Sequence, residues 1–272
     1  MRLNRLFVFF VCSVLFASSL FGEEKKLQAS DIVNRHLASI GTPEARAAAK
    51  SRTIRGTVRM TNLVGASGNV DGSAMMVSIG QRFTIAMRFP VEDYQGEQFV
   101  FDGKNVNVAL IGPAKRSALG EFVYLHDMIV REGILGGTFL TSWPLLDTNV
   151  RQPRLKYDGL KKIDGRELHE ISYSPKKGDR DLLIDLYFEP DTFRHVKTVY
   201  TYEVDPSFSH NQRVHGSFTK YRIEEEFSDF KVADGLTLPS VWKLRYSATS
   251  DKTVMTEWVI TSSSVTENNV VD

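Results

Sequence analysis

Gln81-Arg82-Phe83-Thr84-Ile85-Ala86-Met87-Arg88-Phe89 is the stretch of this 272-residue chain that decides its fold class. Phe83, Ile85, Met87 and Phe89 recur at a period of two, and Arg82, Thr84 and Arg88 take the alternate positions. An extended strand lines up such residues, one face wet and one apolar, as antiparallel sheets commonly do.

The same period is found on both sides of it. In residues 53–60, Ile54, Val58 and Met60 oppose Thr53, Arg55, Thr57 and Arg59, and Gly65-Ala66-Ser67-Gly68 supplies the turn after them. Further on, Phe99-Val100-Phe101 and residues 106–110 flank Asp102-Gly103-Lys104-Asn105, a strong hairpin signal. Residues 182–188 and 194–202 flank Glu189-Pro190-Asp191-Thr192. Residues 218–229 lead to Ala233-Asp234-Gly235, and strands follow over 238–246 and 253–261. Turns this frequent indicate a long meander, not βαβ units.

Two regions break the rhythm. Residues 30–50 read as two helices: Ser30 caps one carrying Ile32, Val33, Leu37 and Ile40, and Thr42-Pro43-Glu44 opens the second. Residues 117–146 carry Leu119, Phe122, Val123, Leu125, Met128, Ile129 and Ile134 in a helical stripe, which Gly136-Gly137 stops. This insert reads as helices or loops covering the sheet. Eight or more strands with apolar faces and little helix to cover them indicate a sheet that curls on itself, and large curled sheets enclose cavities. The expected class is mainly antiparallel β with helices, an unclosed half-barrel under a helical lid. Met60, Phe83, Ile85, Met87, Phe89, Phe101 and Val108 on the sheet are the candidates to contact an apolar ligand, with Phe122, Leu125, Met128 and Ile129 on the lid.

The first residues read as an export signal. Arg2 and Arg5 precede an apolar run over 6–20, and Ala17-Ser18-Ser19 or Gly22 offers a cleavage site. Cleavage after residue 22 leaves residues 23–272 as one expected domain, placed in the periplasm. It removes two of the 34 basic residues, leaving 32 against 33 acidic. So balanced a surface argues against nucleic-acid binding. Cys12 is the only cysteine and leaves with the leader, so no disulfide framework, zinc cluster or thiol nucleophile is expected. Phe9, Phe10 and Val11 before Cys12 do not make a lipidation signal.

Reactive groups are sparse. His36, His126, His169, His195, His210 and His215 form no dense ligand set, and no Gly-x-Ser-x-Gly elbow exists. Glu224-Glu225-Glu226 reads as a solvated strand edge, with Glu225 facing away from its neighbours. Gly133, Gly136 and Gly137 follow a helix instead of opening one, so they make no phosphate cradle. No metal, no cofactor and no catalysis are expected; carboxylates distant in sequence that meet in space are the one enzymatic alternative.

Three stretches carry a resemblance to a known family. They are Asp31-Ile32-Val33-Asn34-Arg35-His36-Leu37 with Ile54-Arg55-Gly56-Thr57-Val58, then Tyr187-Phe188-Glu189-Pro190-Asp191-Thr192-Phe193, and Phe227-Ser228-Asp229-Phe230 with residues 233–239. In this order they resemble the periplasmic lipoprotein carriers of the LolA/LolB type and outer-membrane lipoprotein-sorting proteins. The resemblance implies an unclosed antiparallel barrel with a helical lid over an apolar cavity. It further implies a monomer that carries lipid or lipoprotein acyl chains toward the outer membrane and docks on an inner- or outer-membrane protein. No arginine here, Arg55 and Arg59 included, matches the one that gates the lid in that family. The family also serves as sensor and scaffold, so the alternative is a domain binding a protein partner through the same fold.

Overall fold

The computed structural model describes residues 27–65, 67–112, 115–178, 181–204 and 218–268. The leader over 1–22 and the loop histidines His210 and His215 lie outside the described residues.

The described strands form one antiparallel sheet of twelve: β1 (Ser51–Val64), β2 (Asn69–Ile79), β3 (Arg82–Arg88), β4 (Gly96–Phe101), β5 (Val106–Val108), β6 (Arg154–Ile163), β7 (Arg166–Ser174), β8 (Leu183–Phe188), β9 (His195–Val204), β10 (Thr219–Ala233), β11 (Leu236–Thr249) and β12 (Thr253–Glu267). The spatial order is β5-β4-β3-β2-β1-β12-β11-β10-β9-β8-β7-β6. The chain starts at the centre of the sheet, meanders out to one edge at β5, and re-enters at the opposite edge at β6. It then meanders back until β12 pairs with β1, from Arg52↔Glu267 to Val64↔Met255. The sheet does not close; it is an open half-barrel with helices.

Hairpin chemistry sets the turns. Asp102 Oδ1 accepts from the amides of Lys104 and Asn105 at 2.7 Å each, which fixes the β4–β5 reversal. Asp234 and Gly235 both have positive φ, 49° and 77°, as the tight turn between β10 and β11 requires.

Because β5 and β6 lie at opposite edges, the segment joining them must cross the sheet. It does so along the apolar face as α3 (Ala118–Leu125), α4 (Met128–Arg131), two 3₁₀ turns (Gly137–Phe139 and Pro144–Asp147) and α5 (Thr148–Arg151). Ser117 caps α3 by accepting from the Gly120 amide at 2.8 Å. The expected single stripe breaks at His126, so two short helices replace one.

At the N-terminus α1 (Ala29–Ile40) and α2 (Pro43–Ala48) match the expected pair. The cap of α1 is Gln28 and not Ser30: Gln28 and Asp31 form a reciprocal capping box, with the Gln28 backbone N–H donating to Asp31 Oδ2 at 2.9 Å. Thr42 caps α2 as its position before Pro43 suggests. Glu224-Glu225-Glu226 is not a strand edge, since β10 runs between β9 and β11. The alternation does hold, and it places Glu225 in the interior with no solvent exposure.

Candidate functional site

The apolar face of the sheet and the insert meet in one hydrophobic core. Phe83, Ile85, Met87, Phe89, Phe101 and Val108 lie in it from the sheet side, as do Phe122, Met128 and Ile129 from the insert. Met60 is half-buried and packs at its margin. Leu125 is placed elsewhere: it is 68% exposed. Leu119, Phe122 and Val123 occupy the inner face of α3 at helical spacing, which turns Glu121, Tyr124 and Leu125 outward.

Beneath the second half of the insert, aromatic rings of insert and sheet pack directly on one another. Phe139 lies 6.3 Å from Phe227 and 6.4 Å from Trp242, ring centre to ring centre. Trp143 stacks on His195 at 4.5 Å. Phe139 and Trp143 of the insert thus occupy part of the concave side of the sheet, both buried.

Buried polar groups fix this half of the insert. Trp143 Nε1 donates to His36 Nε2 at 3.0 Å, and His36 Nδ1 lies 3.1 Å from the Phe193 carbonyl. Those two bonds set the tautomer, with the proton on Nδ1. Burial holds the His36 pKa down at about 4, so the ring is neutral. Arg52 ion-pairs with Glu267 at 2.5 Å and donates to the Thr138 carbonyl at 2.6 Å. Glu225 accepts from the Gly136 amide and from the Tyr200 hydroxyl, each at 2.7 Å. Burial pushes the Glu225 carboxyl up to about 8, against the lowering effect of those bonds. The Thr141 amide donates to Ser78 Oγ at 3.0 Å.

The first half of the insert is held differently. α3 and α4 present Phe122, Val123, Met128, Ile129 and Val130 inward, and Phe122 sits among Tyr202, Tyr221 and Tyr246. Two of their polar ties are at the periphery: Arg131 donates to the Lys104 carbonyl at 2.6 Å, and Tyr173 donates to Glu132 at 2.8 Å. At its root, Glu97 hydrogen-bonds Ser117 and accepts from Tyr94 at 2.8 Å; burial raises its carboxyl to about 7. The insert therefore has one half fixed by buried hydrogen bonds and one half held mainly by apolar packing.

The structure also contains a groove that sequence reading missed. It has a volume of about 500 Å³ and lies between β7 and β8, lined by Tyr173, Leu182, Ile184, Arg154, Lys176 and neighbours. Its basis is a gap in strand pairing, which leaves no mark in the alternation of either strand. Among the described residues no cluster of three or more His, Cys, Asp or Glu side chains is placed to hold a metal ion, and no helix is long and apolar enough to cross a membrane.

No family model and no curated protein matches the chain. Solved structures are similar to it: a LolA superfamily protein from Nitrosomonas europaea, at 13% identity and TM-score 0.47, over 90% of this chain and 95% of that one. A domain of an outer membrane lipoprotein-sorting protein from Vibrio parahaemolyticus has 11% identity and TM-score 0.45 over the same shares. A DUF1329 family protein from Desulfovibrio piger has 10% identity and TM-score 0.42, again over 90% and 95%. The likeness to LolA superfamily proteins is one of overall arrangement, at little sequence identity.

Proposed function

We propose that this chain binds a lipid, or the acyl chain of a lipoprotein, non-covalently between its sheet and the α3–α4 half of its insert, and carries it in the periplasm toward the outer membrane. The observation that supports this is the division of the insert. Residues 136–147 are tied to the sheet by buried hydrogen bonds, while α3 and α4 rest on it through apolar side chains.

The magnitudes are compatible with reversible loading. Lifting α3 and α4 exposes Phe122, Val123, Met128, Ile129 and Val130, at roughly 1.5–3 kcal/mol each, or about 10 kcal/mol together. An acyl chain of ~14 carbons recovers on the order of 10 kcal/mol when it takes their place. Loading is then an exchange of one apolar surface for another, which a carrier needs in order to release its cargo. No covalent step is involved, and the proposal is of a binding protein, not an enzyme.

The partly occupied concave face favours a second reading, in which the domain is a sensor or scaffold that binds a protein partner. Native mass spectrometry of protein isolated from periplasm without detergent separates the two. A population heavier by one lipid supports carriage. Protein free of lipid but held by a stable protein partner supports the scaffold and ends the carrier reading.

A further inference from the structure

We propose that the slot between β7 and β8 is a binding site for a single-chain amphiphile with an anionic head, whose tail runs inward to Met128 of the insert. This rests on the carrier reading and adds to it an entrance and a ligand class.

The two strands pair from His169↔Phe188 to Ser172↔Asp185. Continued in that register, Tyr173 would face Ile184 and Ser174 would face Leu183, yet neither pair forms. All four residues are paired on their other sides, Leu155↔Tyr173 and Arg154↔Ser174 with β6, and Leu183↔Thr201 and Ile184↔Tyr200 with β9. The sheet forks between two strands that are otherwise intact. Buried backbone amides and carbonyls are almost always paired, so a fork persists where solvent or a ligand reaches it. The groove of about 500 Å³ at this fork is within the range of small-molecule sites, ~300–1,000 Å³.

Its floor is apolar. Tyr173, Leu182 and Ile184 belong to the main core. The methyl end of Met128 comes within 3.2 Å of where a side chain on the lining residue Gly178 would begin, so α4 adjoins the groove there. Its rim is basic. Arg154 and Lys176 are exposed there, with the Lys176 ammonium donating to Gln152 at 2.5 Å. Among the described residues of the lining Asp185 is the one carboxylate, and it accepts from the Ser172 hydroxyl at 3.0 Å. The acids behind it are paired: Asp158 with Lys156, and Glu170 with Lys161 at 3.7 Å. A greasy floor under two cations is the complement of an acyl chain ending in a carboxylate or a phosphate.

The test is titration of the purified protein with saturated fatty acids of increasing length, the matching alcohols and a lysophosphatidic acid. Photolabelling with diazirine-bearing myristic acid maps the contacts. Affinity should rise about fourfold per methylene until the groove is full, and the label should fall on Tyr173, Leu182 or Ile184. Arg154→Glu with Lys176→Glu, both at exposed positions, should weaken fatty-acid binding about tenfold and leave the alcohols unaffected. Ser174→Trp should block the slot and remove the label. Tighter binding of fatty acid or of lysophosphatidic acid identifies the head as carboxylate or phosphate; either supports the site. Saturable binding with label confined to Phe122, Ile129 and their sheet neighbours, unchanged in both variants, would overturn the slot and leave the carrier reading standing. Absence of saturable binding by any probe would overturn both. Competition for the slot by a strand-forming peptide, with no effect of acyl chains, would likewise overturn this proposal.

Discussion

The carboxylate of Glu225 on β10 and the backbone amide of Gly136 in the insert meet at 2.7 Å in a region closed to solvent. The second oxygen of Glu225 accepts from Tyr200 on the neighbouring strand, also at 2.7 Å. One side chain of the sheet thus holds both its neighbour and the backbone that crosses above it. Glu225→Leu leaves two buried donors without an acceptor and should cost about 2–4 kcal/mol of unfolding free energy. Glu225→Gln retains an acceptor and should cost less than half of that. Chemical denaturation of the two variants at pH 7 checks the difference.

The pH dependence of stability follows from the same burial. Glu225 and Glu97 titrate at about 8 and about 7 in the folded chain, against an ordinary 4.5. The folded state keeps protons that the unfolded chain has released, so their effect is to lower stability as pH rises through that window. His36, held near 4 against an ordinary 6.5, acts in the opposite sense: its contribution is lost as pH falls from 6.5 toward 4. The trends oppose each other at mildly acidic pH, and above 6.5 only the carboxyls remain. Unfolding free energy should therefore fall between pH 6.5 and 8, by up to about 1.4 kcal/mol per pH unit for each titrating carboxyl. In Glu225→Gln the decline should flatten above pH 7. A profile that rises over this range in the native sequence would contradict the assignment.

Trp143→Phe keeps the ring stacked on His195 and removes the donor to His36. The buried His36 Nε2 then has no partner from the insert, at about 1–3 kcal/mol. A denaturant midpoint lowered at unchanged m-value would show it, because the surface exposed on unfolding stays the same.

The two halves of the insert should exchange amide hydrogens at different rates. Amides of α3 and α4 should exchange through an opening smaller than global unfolding, while those of 134–146 should require an opening closer to the global one. Hydrogen exchange followed by mass spectrometry resolves the two segments. Equal protection would mean that the insert moves as one piece, and the α3–α4 lid would have to be abandoned.

Strand alternation made the architecture readable in particular places. Phe83, Ile85, Met87 and Phe89 all lie in the core, and Asp102-Gly103-Lys104-Asn105 turns where its chemistry says it should. β2, β6 and β7 escaped notice. β2 carries Gly72 and polar residues that blur its period, and β6 is an edge strand without a buried residue, interrupted by a bulge between Tyr157 and Gly159. Leu125 shows the same limit within a helix. Its apolar side chain fits a stripe on paper, yet Leu119, Phe122 and Val123 take the inner face of α3, which turns Leu125 outward.

The order of local signals in the sequence determined an antiparallel meander with a helical interruption, because hairpin turns and two-residue periods act over a few neighbouring positions. Only the tertiary structure decided that β5 and β6 stand at opposite edges, since β1–β12 pairing joins residues some two hundred positions apart. That separation sends the insert across the apolar face and brings His36 to Trp143 and Glu225 to Gly136. Contacts of this kind depend on where strands come to lie in space, which no local spacing encodes.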